Sequence, residues 1–386
     1  MPKRELLLIP GPTMVQPEVL AALARETLSH TDPRFVEIYR HALTRTRELF
    51  TCYQGEVFVL AGSGTLAMEM SLLNTVQAGE RILVLSQGYF GDRFAQIAQR
   101  YGILVDCLTA EWGRQVAAPE VASILSRNRY RAVTITHVDT STGVQADLET
   151  LVPLIKQHGA LVILDGVCAS AALEESMSRE SGNPASTLDV VLTGSQKAIG
   201  LPPGLLVLAM GEQAMAARRA MPTVPAYYGD VLNWLPVMQN PSRYFATPPV
   251  NLIVAYETGL EGIFAEGLPA RYARHRAQAR AFRAAMRSMG FTVLAEENLA
   301  APTVSCLLYP RGIEDVAFRK ALAQRGVIVA GGLAHLQGKA FRLGHLGNVT
   351  ARELRQAVIA MAEVLQEMGS PVDREPALSA FEGLPA

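Results

Sequence analysis

Short, almost purely apolar runs punctuate the chain: Val57-Phe58-Val59-Leu60, Ile82-Leu83-Val84-Leu85, Ala132-Val133-Thr134-Ile135, Leu161-Val162-Ile163-Leu164, Val190-Val191-Leu192 and Leu205-Leu206-Val207-Leu208. Runs that stay apolar without alternating suit strands covered on both faces. Helix-compatible segments lie between them. The pattern therefore predicts an α/β fold, a mainly parallel sheet wrapped by helices, whose ligands sit beyond the carboxyl ends of the strands.

Past about Leu260 the pattern changes. A long helical stretch from Pro269 to Met289 precedes strand-like Thr292-Val293-Leu294 and Val304-Ser305-Cys306-Leu307-Leu308, and a further helix follows Thr350. Thr350 and Glu353 fit a capping box, and Leu354, Val358, Met361 and Leu365 recur at helical spacing. Arg276, Arg280, Arg283 and Arg287 form a basic row, read as the solvated face opposite Phe282, Ala285 and Met289. The expected organisation is an N-terminal segment over 1–15, a large domain over 16–260, a small C-terminal α+β domain over 261–369 and a loosely held tail over 370–386.

At 386 residues the chain exceeds the usual size of one hydrophobic core, which agrees with that division. Hydrophobic residues at 49%, charged residues at 18% and a net charge of -1 describe a soluble, enzyme-like chain and give no reason to expect a nucleic-acid partner. No apolar run reaches the roughly 18 to 20 residues that span a bilayer, and Met1-Pro2-Lys3-Arg4-Glu5 opens no signal peptide, so a cytoplasmic location is expected. Cys52, Cys107, Cys168 and Cys306 are far apart and form no CxxC pair, so neither a metal site nor a disulfide framework is indicated.

The chemistry concentrates at the ends of the apolar runs. Thr193-Gly194-Ser195-Gln196-Lys197 puts a lysine at the mouth of one buried strand, where it can act as a Schiff-base nucleophile, and Asp165 ends another. An ionised carboxylate there is costly unless it meets a cation or several donors, and a protonated pyridine nitrogen is such a cation. Ala61-Gly62-Ser63-Gly64-Thr65 turns a strand into a helix and can cradle a phosphate on free N–H groups. It lacks the full GxGxxG spacing and the Lys-Ser/Thr pair of nucleotide loops. Anchor, electron sink and covalent tether are the three demands of pyridoxal 5′-phosphate. Tyr89 and Thr140 also follow strands, as candidates to stack on a heterocycle and to bond a ring substituent.

Taken together, these motifs resemble the class V, fold-type I aminotransferases, in particular the alanine–glyoxylate and serine–pyruvate group, from Leu8 to about Leu365. The resemblance implies a seven-stranded, mainly parallel sheet, pyridoxal phosphate, and small amino acid and 2-oxo acid substrates. It makes Lys197 the cofactor-bound lysine and Asp165 the partner of the pyridine nitrogen. It also puts Ser63, Gly64, Thr65 and Gln196 on the phosphate, Tyr89 and Val167 on the ring faces, and Thr140 on the ring hydroxyl. Tyr244 and Thr247 match residues that reach the phosphate of a neighbouring subunit, which implies a homodimer with shared sites. Arg342, in Phe341-Arg342-Leu343-Gly344-His345, takes the substrate carboxylate, and Pro10-Gly11-Pro12-Thr13 matches the opening segment.

Thr31, where many relatives carry arginine, and Cys168, where small polar residues are common, bear on the amino donor, and Tyr227 and Tyr228 are candidates for the entrance. Three other readings stand beside this one: a cysteine desulfurase-like lyase, a nucleotide-binding oxidoreductase and a catalytically silent protein on the same fold.

Overall fold

In the computed structural model, which describes residues 5–178, 188–370 and 372–384, the apolar runs form one seven-stranded sheet. Its strands are β1 (Glu56–Ala61), β2 (Arg81–Ser86), β3 (Leu104–Thr109), β4 (Ala132–Thr136), β5 (Leu161–Asp165), β6 (Val190–Gly194) and β7 (Leu205–Met210). The spatial order is β1-β7-β6-β5-β4-β2-β3, and only β7 runs antiparallel to its neighbours. Every residue of β4, β5, β6 and β7 is buried, which is why these strands read as unbroken apolar runs. β3 escaped that signal because it is an edge strand with a mixed pattern, Leu-Val-Asp-Cys-Leu-Thr, and Leu104 is 47% exposed.

The parallel direction brings the carboxyl ends of β1, β2, β4, β5 and β6 to one edge of the sheet. Two helices start at that edge: α1 (Gly64–Leu73) directly after β1, and α2 (Tyr89–Arg100) after β2. Ser63 caps α1 by accepting from the Leu66 N–H at 3.4 Å. The Gly88 N-cap of α2 has no side chain to offer, and the buried Asp139 supplies the cap from a distant loop. Its Oδ2 accepts from the Phe90 and Gly91 N–H groups at 2.9 and 3.2 Å. A Cβ at Gly88 would meet Asp139 Cγ at 2.7 Å, so this approach requires glycine.

Further along, α3 (Val250–Glu266) and α4 (Leu268–Ser288) lead to a four-stranded antiparallel sheet of β8 (Thr292–Val293), β9 (Val304–Leu308), β10 (Ala330–Gly331) and β11 (Ala340–Gly344), in the order β8-β9-β11-β10. Its own core packs Phe282, Phe318, Phe341 and the inner face of α5 (Ala351–Glu367). The capping box forms in full: Glu353 N donates to Thr350 Oγ1 at 3.2 Å and Thr350 N to the Glu353 carboxylate at 2.9 Å. Leu354, Val358, Met361 and Leu365 are fully buried along that face.

At the start of the chain Leu6 and Leu7 pair in parallel with Val327 and Ile328, and Leu8 and Met14 join the second core. In the tail, α6 (Glu375–Ser379) and the turn after it bury Ala377 and Phe381, four residues apart, in that same core. Residues 1–4, 371, 385 and 386 of the expected terminal segments, like 179–187, lie outside the described residues. In the basic row Arg283 is buried, its Nη1 donating to the Ala301 carbonyl at 2.7 Å, while Arg276, Arg280 and Arg287 are exposed. Arg283 falls beside Phe282 and Met286, where α4 packs against the loop before β9.

Candidate active site

A cavity of about 300 Å³ opens at the shared strand-end edge, lined by Ser63, Gly64 and Thr65 from the start of α1, by Asp165 and Val167 beyond β5, and by Gln196 and Lys197 beyond β6. Thr140, from the loop after β4, faces the same space. Asp165 stands level with Leu192 in the register of β5 and β6, and the chain needs only a short turn beyond Gly194 to bring Lys197 to the neighbouring position.

The Lys197 turn is held from several sides. Thr13 Oγ1 and the Gly200 N–H both donate to the Lys197 carbonyl, at 3.2 and 2.9 Å. The buried Arg271 donates through Nη2 to the Ala198 carbonyl at 3.0 Å, and Asn348 Nδ2 to the Gly200 carbonyl at 2.9 Å. Gly11, with φ of +102°, lies so close that a Cβ would meet Lys197 Cγ at 2.6 Å. These anchors fix the backbone and leave the lysine side chain pointing into the cavity, with burial lowering its pKa and favouring the neutral, nucleophilic amine.

Asp165 is 3% exposed and accepts one N–H, from Val167 at 2.9 Å. Burial pushes its carboxyl up to about 6, against the opposing pull of that bond and of Lys197. Among the described residues it has no ion-pair partner. Beneath it, His137 Nδ1 and Glu175 Oε1 form a buried pair at 2.7 Å.

Among the described residues, two buried polar atoms on the cavity wall, Thr140 Oγ1 and Gln196 Oε1, also have no hydrogen-bond partner. Such orphans are costly unless a ligand satisfies them. A Cβ on Gly64 would meet Val167 Cγ2 at 2.7 Å, so a substituted residue would crowd the floor of the anion cradle. A heterocycle with a cationic nitrogen, a ring hydroxyl and a phosphate answers the lone carboxylate, the orphaned Thr140 hydroxyl and the open helix end together, and the residues present therefore fit pyridoxal phosphate.

One aromatic assignment changes. Phe90, rather than Tyr89, lines the cavity, with Lys197 Nζ 5.1 Å from its ring centroid. Tyr89 is 40% exposed and sits edge-on to Phe90 at 5.4 Å. The reason is the direction of α2, whose first residue points outward once Asp139 fixes the N–H groups of the next two. Arg93, Met68, Val138 and Cys168 complete the wall, and of these only Cys168 stood out in the sequence. Arg342, on β11 of the second sheet, is not among the residues lining the cavity but bonds its edge: Nε donates to the Gly331 carbonyl at 2.9 Å and Nη1 to the Thr140 carbonyl at 3.1 Å. Among the described residues its Nη2 carries no hydrogen bond.

Tyr244 and Thr247 do not line this cavity. Tyr244 is 63% exposed, its hydroxyl 3.5 Å from Thr247 Oγ1 and its ring 5.3 Å from that of His30. Tyr227 and Tyr228 are also outside the wall; Tyr227 packs on Phe245, and Tyr228 lies edge-on to Trp234.

A lysine and an acid on adjacent strand ends, with a helix start opposite, define a fold-type I pyridoxal phosphate-dependent enzyme. The model of the family described as aminotransferase class-V matches residues 7–347. The chain is 37% identical over 374 residues to a soluble hydrogenase small subunit of a Synechococcus species, covering 96% of this chain and 95% of that protein. It is 35% identical to alanine–glyoxylate aminotransferase 1 of Saccharomyces cerevisiae, with coverage of 90% and 93%. The crystal structure of an alanine–glyoxylate aminotransferase from a Nostoc species superposes with a TM-score of 0.89 at 28% identity, over 95% of this chain and 96% of that one. The chain belongs to the class-V aminotransferase family and is a pyridoxal phosphate-dependent transaminase.

Among the described residues no helix is long and apolar enough to cross a membrane.

Proposed function

We propose that this transaminase moves the amino group of a small amino acid, alanine or serine, to a 2-oxo acid such as glyoxylate or pyruvate, in two half-reactions that share one site. The observation that carries the reading is the convergence of Lys197 and the ion-pair-free Asp165 on one cavity. The alanine–glyoxylate names of the yeast and Nostoc relatives support the substrate class.

When bound, pyridoxal phosphate supplies an aldehyde and an electron-withdrawing ring. The N–H groups of Gly64 and Thr65, at the positive end of α1, hold a phosphate together with the side chains of Ser63, Thr65 and Gln196. Asp165, once ionised, accepts the N–H of a pyridinium and keeps that nitrogen protonated. Thr140 bonds the ring hydroxyl, and Phe90 and Val167 confine the two faces. Lys197 Nζ takes the proton from the substrate Cα, a role that needs the neutral amine its burial favours. Arg342 Nη2 remains free for the substrate carboxylate.

The large unit over 16–260 thus holds the cofactor, and the small one over 261–369 presents the substrate arginine. The exposed Tyr244 and Thr247 serve the cavity of a second copy, which makes the homodimer the complete enzyme.

The lyase reading is weaker because its chemistry needs an available thiolate. Burial pushes Cys168 up to about 11 and Cys306 up to about 12, and Cys107 lies on the edge strand β3 away from the cavity. The oxidoreductase reading gives Asp165 and Lys197 no role. Borohydride reduction of the loaded protein tests the proposal: the cofactor should become attached to the peptide containing Lys197, and Lys197→Ala should yield no adduct. Absence of amino transfer from both alanine and serine to both oxo acids would overturn the substrate assignment.

A further inference from the structure

We propose that Arg93 is a positioning residue for the cofactor phosphate, acting through the hydroxyl of Thr65; the inference rests on the cofactor reading above. Arg93 sits on α2, one turn after Phe90, and lines the cavity. Its Nη1 donates to Thr65 Oγ1 at 3.0 Å, and its guanidinium carbon lies 4.9 Å from the Phe90 ring centroid and 5.3 Å from that of Tyr89. Among the described residues no carboxylate pairs with it, unlike Arg218, which meets Asp230 at 2.7 Å. The charge of Arg93 is thus left uncompensated beside the start of α1.

The bond to Thr65 has a directional consequence. A threonine hydroxyl has one proton to give and lone pairs that accept. With Arg93 donating to its oxygen, Thr65 turns its own proton away from the guanidinium and has it free for an anion in the cradle. The same guanidinium holds the Phe90 ring by a cation–π contact, so one side chain ties the phosphate anchor to the aromatic cap. The uncompensated charge adds to the positive end of α1 and favours a dianion there.

The test compares pyridoxal phosphate with pyridoxal, which shares the ring and aldehyde and lacks the phosphate. Affinities of the full-length apoprotein for both are measured by absorbance titration for the wild type, R93Q, R93K, T65V and R93Q/T65V. R93Q should weaken pyridoxal phosphate binding by about 10- to 100-fold, the range of a charge-assisted bond, and leave pyridoxal within about twofold. R93K, which keeps the charge and loses the fork, should recover part of the loss, and the double variant should be less impaired than the product of the two single losses. Equal losses for both ligands in R93Q, or no loss for either, would overturn the assignment. A wild-type chain that binds neither compound would overturn the cofactor reading itself.

Discussion

Arg342 donates through Nη1 to the carbonyl of Thr140, 3.1 Å away and 202 positions earlier in the chain. This bond joins the antiparallel sheet to the loop after β4, whose Thr140 is the residue proposed for the ring hydroxyl. The arginine is therefore aimed by both cores, through Gly331 on one side and Thr140 on the other. If Arg342 takes the substrate carboxylate as proposed, the position of that carboxylate depends on how the two sheets pack.

Arg342→Lys keeps a positive charge and loses the planar fork, together with the bond from Nε to Gly331. Turnover should fall about 100-fold in kcat/KM for both amino and oxo acids, and about 1000-fold in Arg342→Ala. Cofactor affinity should change little in either, because Arg342 bonds the Thr140 carbonyl and leaves its hydroxyl untouched. Steady-state kinetics with alanine, serine, glyoxylate and pyruvate, set beside a cofactor titration, check both halves. A variant with wild-type kcat/KM for every substrate would remove Arg342 from carboxylate binding.

Asp165 gives a pH signature. Its folded-state pKa of about 6 lies above the ordinary carboxylate value of 3.8, so between those values the folded apoprotein binds more protons than the unfolded chain. Stability from this group is present at low pH and is lost as pH rises through about 6, by roughly 3 kcal/mol in all. Asp165→Asn should therefore make the apoprotein more stable than wild type, with an advantage that grows between about pH 4 and pH 6 and then levels off. Urea unfolding of both apoproteins across that range measures it. The same substitution should cost most of the catalytic rate, since asparagine cannot hold a pyridinium proton. A stability difference independent of pH would show that folding leaves the Asp165 pKa unshifted.

Phe90 and Tyr89 separate two versions of the ring-stacking assignment. With Phe90 in the wall and Tyr89 turned outward, Phe90→Leu should weaken cofactor binding by about 5- to 10-fold, the scale of one aromatic contact. Tyr89→Leu should leave it near wild type. Titration of the two apoproteins with pyridoxal phosphate decides between them, and the opposite order would return the role to Tyr89.

Much of this site was legible because backbone and chemistry coincide at strand ends. Lys197, Asp165 and the Gly62-Ser63-Gly64 turn each follow an apolar run, and a parallel sheet gathers such ends at one edge. What escaped were features set by tertiary contacts. Asp139 caps a helix that starts 50 residues before it, a bond with no sequence period. Which of two adjacent aromatics faces inward follows from that cap, so Phe90 was hidden behind Tyr89. Arg93 has no signal in the sequence, since its partner Thr65 belongs to another helix. β3 was overlooked because exposure on an edge dilutes the apolar run, and Ala377 and Phe381 because two apolar residues do not distinguish a docked tail from a free one.

Thr140 carries the sharpest separation of stability from function. Its side-chain oxygen is buried on the cavity wall without a hydrogen-bond partner, while its carbonyl is held by Arg342. Thr140→Val replaces that hydroxyl with a methyl of similar shape and leaves the backbone bond in place. The apoprotein should gain about 1 kcal/mol, because an unsatisfied buried hydroxyl is removed. Loaded with pyridoxal phosphate the order should reverse, since the wild type then satisfies the hydroxyl and the variant has nothing to offer the ring oxygen. Cofactor affinity should fall about 10-fold. Thermal unfolding of apo and loaded forms reads both effects. A variant less stable than wild type in the apo state would mean that water already satisfies Thr140, and its orphaned oxygen would no longer point to a ligand.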